Sequence, residues 1–235
     1  MISNLPRMLF VVLGAAFIMV TGAWAQAGFH VYGQAPAQQT PPAVDEWGDT
    51  FDGATLDSTK WELFNFEGGN GKVEVKEGQL RMRAHSGSRA GVRSKPTFTA
   101  DRFIVEATVA KVGTAMPEPN SSSLPIGNAI LTILFDGAGR NRIEWLLTSE
   151  GTFEAWSIVD GRGERLDSRN LGTKNKTPTI GIVRRGDEFL FMLNGEAGLR
   201  KTLKNVPRSF HVMLYGFSSS ENNWDSVRVV TPKQP

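Results

Sequence analysis

A chain of 235 residues is long enough for one large domain or two small ones, and its 26 basic against 24 acidic side chains leave a formal net charge of +2. That near-balance, without a dense basic stripe, gives no reason to expect nucleic acid as a partner. The sequence has no cysteine, which excludes a disulfide framework, a thiolate metal site and a cysteine nucleophile.

The first residues read as an export signal. Arg7 supplies a positive start, residues 8–20 an apolar run, and Ala23-Trp24-Ala25 the small-x-small pattern ahead of a cleavage point. Cleavage after Ala25 would leave a secreted or periplasmic protein with no membrane span. The alternative is a retained anchor, since the apolar run approaches the shortest spanning helix. Residues 26–44 are rich in Gln, Ala and Pro and lack periodicity, the pattern of a linker in which His30 is a solvated residue.

A domain is expected over residues 45–232. Short β-like runs fill it: 73–75, 79–85, 90–94, 102–112, 129–135, 142–147, 152–159, 179–184, 188–193, 209–217 and 226–230. Between them stand connectors such as Glu77-Gly78, Asp136-Gly137, Asp160-Gly161, Gly186-Asp187 and Asn194-Gly195. No run has the apolar period of a helix, and many short strands separated by turn signals predict an all-β, two-sheet antiparallel sandwich of the jelly-roll kind. The connection over 113–127 is longer than a turn requires, a length typical of a binding loop or a plain insertion.

One hairpin can be put in register from the sequence. Two alternating runs flank Ser149-Glu150-Gly151, and folding about Glu150 sets Trp145 opposite Ala155, Glu144 opposite Trp156 and Leu146 opposite Glu154. Side chains alternate between faces, so Ile143, Trp145, Leu147, Phe153 and Ala155 form the core side. The other side carries Arg142, Glu144, Leu146, Glu154 and Trp156, a mixture suited to water or to a ligand groove.

Three stretches in order resemble the concanavalin A-like lectin/glucanase superfamily. They are DTFDGATLDSTKW at 49–61, the run from Gly181 to Asn194-Gly195 with Arg184 and Gly186 inside it, which is similar to a laminin-G-like hairpin, and the closing WDSVRV at 224–229. The resemblance implies a concanavalin A-like jelly roll with a concave sheet face that receives a glycan. Within that superfamily, laminarinase-type hydrolases carry E-x-D-x-x-E on one strand. Here the matching strand offers Glu144 alone, with Leu146 in the Asp position.

The expected function is therefore a secreted, lectin-like module that binds a poly- or oligosaccharide without catalysis. Its candidate contacts are Arg142, Glu144, Glu154 and Trp156 on the hairpin, and Arg83, His85 and Arg93 as a cluster for acidic sugars. Trp156 would offer an indole face to a sugar ring. The alternative is a divergent glycoside hydrolase using Glu144 and Glu154, whose Cβ atoms the register puts roughly 7 Å apart, inside the roughly 5–9.5 Å range of glycosidase carboxylates. A polysaccharide lyase built on Arg83 and His85 and a protein-interaction domain are further alternatives. Trp47, Trp61 and Trp145 are assigned to packing and Trp224 to one end of the sandwich. No cofactor is required, although the resemblance implies a structural Ca²⁺ site at Asp225 with Asp52 or Asp49 nearby. With His85 and His211 the only histidines of the domain, a three-His zinc site is excluded. The signatures H-E-x-x-H, G-x-x-x-x-G-K-[ST] and G-x-S-x-G are absent.

Overall fold

The computed structural model describes residues 44–67, 69–114, 126–173 and 176–233. The signal at 1–25, nearly all of the linker and most of the long connection at 113–127 lie outside them. Among the described residues every regular element is a strand, and no helix is long and apolar enough to cross a membrane.

Two antiparallel sheets make a sandwich. The first contains β1 (Val44–Asp49), β3 (Lys72–Lys76), β4 (Gln79–Arg83), β7 (Arg102–Thr114), β12 (Thr179–Arg185), β13 (Glu188–Leu193), β14 (Glu196–Thr202) and β16 (Ser220–Pro232). Its order is β14-β13-β12-β7-β16-β4-β3, with β1 following β4 along the same edge of β16. The second contains β2 (Trp61–Leu63), β5 (Arg89–Ser94), β6 (Phe98–Thr99), β8 (Asn128–Leu134), β9 (Arg142–Thr148), β10 (Thr152–Val159), β11 (Arg162–Asn170) and β15 (Ser209–Phe217). Its order is β11-β10-β9-β8-β15-β5-β2, with β6 against β15.

The apolar alternation explains the layers. Leu80 and Met82 from β4, Phe103, Val105 and Ala107 from β7, and Ile180 and Ile182 from β12 point inward. They meet Leu131 and Ile133 of β8, Ile143, Trp145 and Leu147 of β9, and Val212 and Leu214 of β15. Trp61 and Trp145 belong to this core. Trp224 lies wholly inside it, with its indole N–H donating to Asn222 Oδ1 at 2.7 Å, and not over one end. Several hairpins close on two residues that both take positive φ, Glu77-Gly78, Asp160-Gly161 and Asn194-Gly195, the conformation that matches strand twist in the tightest turns.

Strand pairing follows the sequence register at β9–β10: Trp145 faces Ala155, Glu144 faces Trp156 and Leu146 faces Glu154. Two long strands go beyond the sequence reading. β11 and β14 are the outermost strands of their sheets, with charged, largely exposed residues. An edge strand needs only one partner and avoids apolar alternation, which would invite further pairing.

Candidate functional site

The outer face of the second sheet is organised in rows across its strands. One row runs Glu62, Arg93, Met213, Thr132, Glu144, Trp156, Arg165. The next runs Gly91, Tyr215, Ile130, Leu146, Glu154, Ser168. A second apolar cluster of Phe66, Ile130, Leu146, Met213 and Tyr215 covers the middle of this face. Beside it opens a cleft of about 580 Å³, lined by Phe64, Phe66, Arg89, Arg140, Arg142, Asp160 and Tyr215 among others.

Glu144, 6% exposed, lies against two residues that line this cleft, Arg142 and Tyr215. Arg142 Nε donates to its Oε1 at 2.5 Å, and the Tyr215 hydroxyl donates to the same oxygen. Arg142 Nη1 donates to the Gly139 carbonyl, which fixes the guanidinium to the β8–β9 connection. Burial, the largest single influence, works against the charge on Arg142, but Glu144 and Tyr215 together outweigh it and the pKa of Arg142 is raised. Tyr215 is pushed well above its ordinary value, first by burial and then by the negative Glu144 beside it. Thr132, the next residue in the row, is wholly buried, and its hydroxyl has no hydrogen-bond partner among the described residues.

The other hairpin residues turn toward β11. Glu154 accepts from the Trp156 indole N–H at 2.9 Å and from Arg165 at 3.4 Å. Trp156 is half-buried, with its six-membered ring against Gly163, where a Cβ would stand 3.6 Å away. It is not a bare platform, because the edge strand shields part of the indole.

The structure does not assemble Arg83, His85 and Arg93 into one cluster. Arg83 lies on the outer face of the first sheet and pairs with Glu221 at 2.9 Å. Arg93 lies on the outer face of the second sheet, pairs with Glu62 at 2.5 Å and sits 5.6 Å over Phe64. Adjacent in sequence, β4 and β5 belong to opposite sheets, so their outward residues point in opposite directions. His85 is an exposed residue of the connection between them.

For calcium, Asp225 accepts from Gln79 Nε2 at 2.9 Å, and Asp52 accepts from Thr50 at 2.6 Å. Asp49 accepts from the Trp61 indole N–H at 2.8 Å and from the Phe51 amide at 3.0 Å. Among the described residues no three acidic or histidine side chains are grouped to hold a metal. Each of these carboxylates already accepts a hydrogen bond from a protein donor.

The residues around the cleft that the sequence left unassigned are Tyr215, Phe64, Phe66, Arg89, Arg140 and Asp160. Tyr215 had a signal: it alternates with Val212 and Leu214 on a strand whose inward side is plain. The others sit in connections or at a strand end, where no period marks direction. A polar groove of about 450 Å³ on the first sheet, lined by Asp49, Lys60, Glu106, Thr108, Thr179 and Arg228 among others, is less suited to a ligand. Arg228 is taken by Glu106 at 2.7 Å and Lys60 by the Gly48 carbonyl at 2.9 Å.

No protein-family model and no curated protein sequence matches the chain. Solved structures do. A β-glucanase of Bacillus licheniformis superposes with a TM-score of 0.61 at 14% identity, over 80% of this chain and 98% of that one. The catalytic domain of an endo-1,3-β-glucanase (laminarinase) of Thermotoga petrophila gives 0.60 at 13%, over 82% and 100%. The carbohydrate-binding module CBM66 of Bacillus subtilis gives 0.51 at 14%, over 74% and 94%. At such identity the likeness is one of architecture, and the chain is a concanavalin A-like jelly roll.

Proposed function

We propose that this chain is an exported glycan-binding module that holds sugar in the cleft on the outer face of its second sheet and does not cut it. The observation that carries the reading is the engagement of Glu144. Hydrolysis of a glycosidic bond ordinarily needs two carboxylates flanking it, one as acid and one as base or nucleophile. β9 presents Glu144, Leu146 and Thr148 toward this side, a single carboxylate followed by an apolar residue and a hydroxyl. That carboxylate already accepts from Arg142 and Tyr215 through one oxygen, which supports an anchoring role for it over general acid–base work.

The surroundings suit a neutral or mixed sugar. Phe64, Phe66 and Tyr215 supply apolar wall, while Arg89, Arg140, Arg142, Glu67 and Asp160 supply donors and acceptors for hydroxyls. Similar architectures include glucanases and a binding module, and it is the side chains of this site that favour the binder. Export rests on the signal-like residues 1–25. The test is incubation of the protein with a panel of insoluble polysaccharides. Retention on at least one, with no reducing ends released, is expected. Reducing-end release that disappears in Glu144→Gln would overturn the reading in favour of a hydrolase.

A further inference from the structure

We propose that the cleft receives the end of a glycan chain and not an internal stretch of one; this rests on the glycan-binding reading above. A chain crossing the outer face of the second sheet would have to pass from β9 to β5 over Thr132, Ile130 and Met213. That path is roofed. Ile130, Leu146 and Met213 are all buried, and Phe66 lies against Tyr215 with ring centroids 5.5 Å apart. Phe64 continues the cover, 4.7 Å from Phe66.

The cover is joined from the other side. The connection between β8 and β9 reaches over the sheet, and a Cβ on Gly139 would stand 3.1 Å from the tip of the Phe64 ring. Arg93 Nη1 donates to the Gly137 carbonyl at 3.1 Å, while its guanidinium rests over Phe64. The segment after β2 and the connection before β9 therefore meet above β5 and β15.

Backbone contacts hold this wall as well as side chains. Asn70 bridges to Arg89, and the Gly71 amide donates to the Arg89 carbonyl at 2.6 Å. The Phe66 amide donates to Asn70 Oδ1 at 3.0 Å. A segment tied in this way to the first residue of β5 is part of the scaffold.

What stays open is the cleft of about 580 Å³, with the close approach of Gly139 to Phe64 forming part of its wall, a volume within the roughly 300–1,000 Å³ of small-ligand sites. Its rim suits a terminal sugar, which carries a free hydroxyl where an internal sugar has its next linkage. Arg89 stacks over Phe66 at 5.8 Å, and among the described residues neither Arg89 nor Arg140 forms an ion pair. Arg140 Nη2 donates to the Asp160 carbonyl at 3.3 Å, which leaves the other guanidinium N–H groups of the two residues to meet such a hydroxyl.

The experiment is a glycan array on which neutral oligosaccharides of graded length are immobilised in matched series, through one end or through the other. The expected result is a signal set by the free terminal sugar, equal for short and long members sharing that end, and lost when that end is the point of attachment. A signal that rises with length whichever end is free would overturn end recognition while leaving the binding module intact. An array with no signal at all would remove the glycan-binding reading and this inference with it.

Discussion

Glu144 already has two partners in the free protein. A buried carboxylate without them would carry an unpaired charge into low dielectric, which is strongly unfavourable. With Arg142 and Tyr215 in place it becomes a fixed anchor, and Tyr215 inherits a titration that can be read in solution. Its pKa is raised in the native state, so above about pH 10 an unfolded tyrosine loses its proton while the folded one keeps it. The unfolded state then binds fewer protons, and stability must fall as pH rises, by up to about 1.4 kcal/mol per pH unit from this one group. Tyr215→Phe removes that contribution. Urea unfolding at mildly and strongly alkaline pH should show a shallower loss of stability in the variant than in the parent; parallel losses would mean that Tyr215 ionises freely in the native state.

Gly91, on β5, shows how strand pairing shapes the cleft. A Cβ there would stand 2.5 Å from Tyr215 Cβ, 2.8 Å from the Leu214 carbonyl and 3.2 Å from the Phe66 ring. The first two atoms are set by β15 itself, so the strands would have to separate. Gly91→Ala should therefore cost about 1–3 kcal/mol, as overpacking does, and lower the melting temperature of the free protein; an unchanged melting temperature would show that β5 moves away without strain. The same strands show what was legible beforehand. The β9–β10 register followed from period two and a three-residue connection, because a slip by one would have exchanged a clean apolar face for a charged one. The edges β11 and β14 were not legible, since their residues answer to solvent and one neighbour. Nor was the separation of Arg83 from Arg93, because nothing in the sequence between β4 and β5 says that the chain changes sheets. Phe64 and Phe66 belong to an aperiodic segment whose contacts come from distant strands.

At the level of the whole molecule, the first sheet is completed by its last strand. β16 lies between β7 on one side and β4 followed by β1 on the other, and it carries Trp224, Val227 and Val229 into the core. Until residues 220–232 are available, β7 lacks its central partner, while β1 and the inner edge of β4 have none in the sheet. Pairings this distant in sequence must close long loops before they are rewarded, which places folding in the milliseconds-to-seconds range of all-β domains. The same topology predicts that removal of the C-terminal strand acts globally and does not merely fray one edge. A chain ending at Phe217 should lose its cooperative thermal transition and near-ultraviolet dichroism, because the exposed inner strand edges and the missing Trp224 leave the two sheets without a closed core. A truncated chain that still unfolds cooperatively would show that the second sheet, with the cleft on its outer face, is a folding unit in its own right.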